Sequence, residues 1–326
     1  LGAVMTQTLT PGRWRGLKTT SSRKNIFNIL AFDQRGTYRK MLPPDTDYDV
    51  AAQMKRDIVV ALSYHASAVL LDNEYGLQSL VDMNGSSGVL MAYEESGYSG
   101  DSTYRGIKFE DTWTVEKIKL IGASAVKVLA YYNPNNEKLA AEIETLLKQV
   151  ADDCHKHDLP LFLEPLSYSL DANVAKESAE FAKLRPDIVI QTAERLSKIG
   201  VDILKMESPV DPNFDSNQQT WADTFAAVSK VSTVPWVLLS AGVNYETFES
   251  QTRLACEAGA SGWLAGRAIW KEAVTMTAEQ RSTFLSSKAT ERMQRLNAIS
   301  AQYARPWTDF YSAPVGSLTW YNDYNL

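Results

Sequence analysis

Apolar residues along this chain gather in short, near-continuous runs, separated by stretches where they recur at helical spacing. The runs are Ile26 to Phe32, Ala66 to Leu71, Gly88 to Tyr93, Ala123 to Tyr131, Leu159 to Leu163, Val201 to Met206, Pro235 to Leu239 and Ser261 to Ala265. Each reads as a strand buried on both faces. Amphipathic helices are expected between them at Asp49 to Tyr64, Asn136 to His157, Gln191 to Ile199, Trp221 to Val231 and Tyr245 to Ala258, with a last one near Ser282 to Tyr303. Strands alternating with helices imply parallel βαβ units. Eight such units favour a closed barrel over an open sheet. No Gly-x-Gly-x-x-Gly or P-loop pattern follows the first run to argue otherwise. The predicted fold class is α/β, a single (β/α)8 TIM barrel over residues 26–304. An N-terminal segment, 1–25, precedes it and an extension, 305–326, follows. Gly122, Gly200 and Gly259 each stand between a helix and a strand, where glycine can take the left-handed conformation that ends a helix.

The extension carries Pro306, Trp307, Phe310, Tyr311, Trp320, Tyr321 and Tyr324, too many aromatics for a disordered tail. It is expected to pack on the barrel or on a second subunit of a homo-oligomer. Charge and cysteine narrow the function classes. A formal net charge of -6 offers no basic surplus for nucleic acid. No apolar run is long enough for a membrane span, and Leu1 to Thr10 lacks the features of a secretory signal, with Met5 the expected natural start. Two cysteines, Cys154 and Cys256, exclude a disulfide scaffold and suit a cytoplasmic protein. Of three histidines, His155 and His157 read as a solvated helix end. A zinc site would need a converging third ligand.

In a barrel of this kind chemistry sits where strands end and βα loops begin. The residues closing the runs are therefore the candidates. Asp33, Gln34 and Arg35 follow the first run, Asp72 the second, Glu164 the fifth and Lys205 the sixth. Lys127 lies inside the fourth. Lysines embedded in apolar strands must reach a polar cavity or a partner. Strand alternation aims Lys205, Lys127 and Glu164 into the barrel mouth. A nucleophilic lysine has to be neutral, and burial beside a second ammonium disfavours the protonated form. On this reading Lys127 tunes Lys205, while Glu164 and Asp33 handle protons. Ser240 and Gly242 end the seventh run, Gly266 and Arg267 the eighth. This is the position at which barrels hold phosphate, with small residues admitting backbone N–H groups and arginine adding a fork of donors. Gln34 and Arg35 are expected to reach the other end of the ligand. An internal salt-bridge network bracing the barrel is the competing reading.

These segments, from Ala31-Phe32-Asp33-Gln34-Arg35-Gly36 through Asp72-Asn73-Glu74-Tyr75-Gly76, Ala92-Tyr93-Glu94, Val126-Lys127, Phe162-Leu163-Glu164 and Leu204-Lys205-Met206-Glu207 to Ser240-Ala241-Gly242-Val243 and Gly266-Arg267-Ala268, resemble the tagatose-1,6-bisphosphate aldolase family. The resemblance implies a class I aldolase that needs no metal. It places the Schiff-base lysine at Lys205, the assisting lysine and glutamate at Lys127 and Glu164, and the early aspartate at Asp33. The implied substrate is a ketose 1,6-bisphosphate, cleaved to dihydroxyacetone phosphate and glyceraldehyde 3-phosphate. Pro235 to Ser240 and Ser261 to Arg267 look closer to a sister family, the sulfofructose-phosphate aldolases. A sulfosugar substrate is therefore an alternative, as is a non-catalytic phosphosugar-binding regulator. A metal-dependent class II aldolase is disfavoured by the missing histidines.

Overall fold

The computed structural model describes residues 6–322 and 324, so the expectation at Met5 falls outside the described residues. All eight apolar runs form strands: β1 (Phe27–Ala31), β2 (Ala68–Leu71), β3 (Gly88–Ala92), β4 (Ala125–Tyr131), β5 (Leu161–Leu166), β6 (Ile203–Met206), β7 (Trp236–Leu239) and β8 (Gly262–Ala265). They close into a parallel barrel in sequence order, β8 pairing with β1. Helices surround it, so both faces of each strand are covered. Phe27 and Phe162 meet edge to face at 5.4 Å, and both are fully buried. Gly122, Gly200 and Gly259 take φ of +85°, +100° and +110°, as helix-ending glycines should.

Two helices depart from the pattern reading. The one expected at Gln191 to Ile199 begins at Ala179 and contains Pro186. Proline removes one backbone donor, so the sequence suggests a break there. The helix survives because its Phe181, Ile188, Val189, Ala193 and Leu196 are buried and Ser178 caps its start. The last expected helix starts early, at Ala278, behind a Thr277–Gln280 capping box. A π turn at Leu285–Ala289 interrupts it before Thr290–Tyr303.

The two terminal segments build one floor beneath the N-terminal strand ends. Residues 1–25 contain the helix Pro11–Thr20, and the strand Gln7–Thr8 pairs in parallel with Tyr311–Ser312 of the extension. Trp14 packs edge-on to the buried Trp307 at 4.6 Å. The centre of this floor is Asp202, fully buried just before β6. Arg13 Nε donates to it at 3.1 Å, Leu161 N at 2.8 Å, and His155 Nε2 lies 3.1 Å away. Burial raises the Asp202 carboxyl, but His155 and Arg13 outweigh it, and the group titrates below the usual range. His155 is thus a floor contact rather than the solvated helix end expected. The extension packs on its own barrel as far as Ser312. Beyond it, Val315, Leu318, Trp320 and Tyr321 are exposed.

Candidate active site

Strand register decides which side chains share the mouth. Lys127 pairs with Ala92 on one side and Phe162 on the other, and Phe162 pairs with Ile203. Two residues further along, Glu164 and Lys205 stand side by side and above Lys127. The same parity brings Asp33 and Glu94 inward from beyond β1 and β3. Lys205 Nζ donates to Glu164 Oε2 at 2.7 Å, and Lys127 Nζ lies 3.0 Å from the same oxygen. Lys127 also donates to Asp33 Oδ2 and Glu94 Oε1, both at 2.8 Å. Arg35 closes the cluster, donating to the Glu94 carbonyl at 2.7 Å with its carboxylate 3.7 Å away.

The cluster therefore holds three cations, Lys127, Lys205 and Arg35, against three carboxylates, Asp33, Glu94 and Glu164. Burial opposes the Lys127 ammonium, but Asp33, Glu164 and Glu94 more than offset that and hold it charged well above the ordinary lysine range. Burial likewise opposes the Asp33 carboxylate, and Lys127 and Lys205 overcome it, leaving Asp33 below the usual carboxylate range. This changes the part assigned to Lys127. Three carboxylates surround its charge, so little of it is left to act on Lys205 alone. Its direct effect falls on Glu164, the carboxylate it shares with Lys205.

Above the cluster opens a cavity of about 970 Å³, lined by Gln34, Glu164, Lys205, Ser240, Gly242, Gly266 and Arg267, among others. Lys127, Asp33 and Arg35 lie beneath this lining. Arg35 therefore does not reach the far end of a ligand: its guanidinium is spent on Glu94 and, at 3.4 Å, Asn73. Asp72 does not line the cavity either. One carboxylate oxygen pairs with the buried Lys55; the other accepts the amides of Glu74 at 2.9 Å and Tyr75 at 2.8 Å. Lys55 also donates to the carbonyls of Phe32 at 2.9 Å and Gln34 at 3.0 Å. Asp72 thus props the loop that carries Asp33, Gln34 and Arg35.

After β7, Ser240 to Val243 form a tight turn closed by Val243 N donating to the Ser240 carbonyl at 3.0 Å. Both central residues are left-handed, Ala241 at φ +47° and Gly242 at φ +84°. Neither of their amides donates to another described protein atom. A Cβ on Gly242 would stand 3.1 Å from Arg267 Cζ, so the turn lies against that guanidinium. Free amides beside an unpaired arginine make a receptor for an anion.

Several residues of the cavity and of the cluster beneath it escaped the sequence reading. Glu207, two residues beyond Lys205, accepts from Ser167 N at 2.6 Å, Lys176 at 2.9 Å and Arg185 at 3.0 Å. Burial raises its carboxyl, but Lys176 and Arg185 bring it down to about 2. Its place beside Lys205 at a strand end was visible; its partners come from a loop and a helix distant in sequence. Glu94 likewise closed an apolar run without being singled out. Arg105 comes from a hairpin, Ser99–Asp101 with Tyr104–Gly106, that no hydrophobic pattern announces. Among the described residues no group of three or more His, Cys, Asp or Glu side chains is arranged to hold a metal ion.

A family model described as DeoC/LacD family aldolase matches residues 27–272, which take in all eight barrel strands. The chain belongs to the DeoC/LacD aldolase family. Its enzyme class is that of a class I aldolase, an aldehyde-lyase. This aldolase is 32% identical to the tagatose 1,6-diphosphate aldolase of Lactococcus lactis subsp. lactis, over 92% of this chain and 99% of that one. It is 33% identical to tagatose 1,6-diphosphate aldolase 2 of Enterococcus faecalis, over 92% and 97%. An archaeal fructose 1,6-bisphosphate aldolase superposes with a TM-score of 0.61 at 21% identity, covering 88% of this chain and 98% of that one. A second archaeal structure, described with its catalytic lysine covalently bound to the carbinolamine intermediate, gives a TM-score of 0.57 at 19% identity, over 88% and 98%. At those identities the likeness concerns the barrel itself.

Proposed function

We propose that this aldolase reversibly cleaves a ketose 1,6-bisphosphate of tagatose or fructose type, giving dihydroxyacetone phosphate and glyceraldehyde 3-phosphate through an imine on Lys205. The observation that carries the reading is Lys205 Nζ at 2.7 Å from Glu164 Oε2 on the wall of the cavity. The tagatose bisphosphate named for the relatives supports the substrate class.

In the proposed cycle Lys205 Nζ attacks C2 of the open-chain ketose, and the tetrahedral carbinolamine loses water to give an iminium. Glu164 moves the proton that leaves with the water. It then accepts the C4 hydroxyl proton as the C3–C4 bond breaks. The bonding pair flows into the iminium to form an enamine, and the aldehyde leaves. Protonation at C3 and hydrolysis of the imine release the ketone and restore the amine. Asp33 is set aside as the base, because it lies beneath the cavity, tied to Lys127 and held strongly acidic. Its part, and that of Glu94, is to anchor Lys127. Ser240, Gly242, Gly266 and Arg267 hold the C1 phosphate, and Gln34 flanks them from the adjacent β1 loop, its amide nitrogen 3.4 Å from where a Cβ on Gly266 would stand. No metal takes part in this scheme.

Borohydride added with dihydroxyacetone phosphate in the presence of a chelator should fix mass on the Lys205 peptide, and Lys205→Ala should abolish both trapping and turnover. Labelling on Lys127, or trapping that requires zinc to be restored, would overturn the assignment.

A further inference from the structure

Five cationic side chains line the cavity: Arg105, Lys176, Arg185, Lys205 and Arg267. Three have carboxylate partners. Lys176 and Arg185 pair with Glu207, Arg185 also with Asp211 at 3.5 Å, and Lys205 pairs with Glu164. Arg105 and Arg267 have no carboxylate within 4.0 Å among the described residues. A lining cation that the protein leaves uncompensated is where an anionic ligand gains most.

The ring of strands separates these two arginines. Arg267 follows β8. Arg105 lies 4.9 Å from the ring of Tyr131, the last residue of β4. In the closed order β7-β8-β1-β2-β3-β4-β5-β6, β4 stands diametrically opposite β8, and β6, which carries Lys205, stands midway between them. Two free guanidiniums thus face each other across the mouth with the amine between.

Arg105 is built to stay there. Its guanidinium sits in a cage of three tyrosines, 4.6 Å from the Tyr98 ring, 4.9 Å from Tyr131 and 5.1 Å from Tyr168. Tyr98 and Tyr131 meet edge to face at 5.2 Å, as do Tyr131 and Tyr168 at 6.4 Å. Aromatic faces hold the flat faces of a guanidinium and leave its in-plane N–H groups free. Among the described residues only Nε is used, donating to the Ser102 carbonyl at 2.9 Å. The hairpin is pinned as well, by Tyr104 Oη donating to Glu142 at 2.8 Å. Its Asp101 carboxylate is occupied by the Thr103 hydroxyl at 2.8 Å and the amides of Thr103 and Tyr104 at 2.7 and 3.0 Å.

We infer that Arg105, caged by Tyr98, Tyr131 and Tyr168, is the receptor for a tetrahedral oxyanion at the end of the ketose remote from C1. The inference rests on the aldolase reading above and gives its far-end specificity to a residue of the β3–β4 hairpin. Phosphate and sulfonate share the chemistry that this fork recognises. Arg105 selects a substrate anionic at both ends over one anionic only at C1.

The test compares tagatose 1,6-bisphosphate, tagatose 1-phosphate and 6-deoxy-6-sulfofructose 1-phosphate as substrates for the wild type and for Arg105→Met, which keeps most of the volume inside the cage. Loss of a charge-assisted contact should lower kcat/KM for the far-end anionic substrate by about 10- to 100-fold. That for the 1-phosphate and borohydride trapping with dihydroxyacetone phosphate should be unchanged. Arg105→Lys should recover part of the loss. Whichever of the bisphosphate and the sulfonate loses more identifies the group the cage receives. Equal loss on all substrates would make Arg105 a structural clamp of the hairpin, and no loss on any would place the far-end anion elsewhere; either overturns the inference. Failure of the wild type to trap dihydroxyacetone phosphate at Lys205 would remove the aldolase reading and Arg105's part with it. Normal trapping in both proteins with an unmoved substrate ratio removes Arg105's part alone.

Discussion

A single carboxylate oxygen, Glu164 Oε2, stands between the amines of Lys127 and Lys205. Lys127 is fully buried, with three carboxylates around it. Removing one member of a buried ionic cluster leaves uncompensated charge, at a cost of about 3–5 kcal/mol. Lys127→Met should therefore lose stability of that order in chemical denaturation, and Asp33→Asn added to it should restore part of the loss. A Lys127→Met protein as stable as the wild type would show that the cluster does not depend on this cation. Glu207 gives a pH signature. Its carboxyl ordinarily titrates near 4.5 and is brought down to about 2 here, so its pairing with Lys176 and Arg185 stabilises the fold above pH 4.5. That contribution drains away as pH falls from about 4.5 toward 2. The stability gap between wild type and Glu207→Gln should close over the same range. A gap that stays constant from neutral pH down to about 2 would mean the charge of Glu207 contributes nothing to folding.

At the scale of the element, the turn from Ser240 to Val243 sets its backbone conformation against Arg267, the proposed phosphate ligand. Gly242 occupies a left-handed φ of +84°, where a side chain costs about 1–2 kcal/mol. A Cβ there would also press on Arg267 at 3.1 Å. Arg267→Ala should weaken dihydroxyacetone phosphate binding by about 1.5–3 kcal/mol. Gly242→Ala should weaken it in the same sense by displacing the guanidinium, with imine chemistry at saturating ligand preserved. Titration calorimetry on both variants checks the pair. Unchanged affinity in Gly242→Ala alone would free the turn of any positioning part, and unchanged affinity in both would make Arg267 structural. The helix Ala179–Leu196 shows a different element-level lesson. Its buried face keeps it continuous through Pro186, and Arg185, the residue just before that proline, reaches Glu207. Local propensity argued for a break, and tertiary packing prevailed.

Over the whole molecule, the cavity opens at one end of the barrel and the chain termini close the other. The helix Pro11–Thr20 and the segment through Ser312 cover the strand starts, with Trp307 fully buried and Tyr311 Oη donating to the Asp202 carbonyl at 2.7 Å. Truncating a fully buried aromatic costs about 3–5 kcal/mol. Trp307→Ala should lower Tm sharply without changing KM, since the mouth lies at the far end of the strands. Ending the chain after Ala313 should leave Tm in place, because Val315, Leu318, Trp320 and Tyr321 are exposed. A drop in Tm on that truncation would show that the tail packs on something it does not touch here.

The amino-acid sequence alone determined the eight strands and their order, because a strand buried on both faces must be apolar along its length. It also picked out the charged residues carried on those strands that meet in the barrel mouth. Lys127, Glu164 and Lys205 were legible because a charged residue inside or ending such a run has to find a polar interior, and alternation by twos says which way it points. Only the tertiary structure decided which charges meet. Arg35 and Asp72 stood at the right strand ends, yet Glu94 and Lys55 claim them. Lys127 read as a free cation until Asp33, Glu94 and Glu164 were seen around it. Arg105, Lys176 and Arg185 come from a hairpin, a loop and a helix whose local patterns carry no mark of the mouth. The physical reason is range. Hydrophobic periodicity is a property of a few consecutive residues, whereas a charge is decided by whatever the barrel's closure brings within a few ångströms, and those partners are separated by tens of residues of chain.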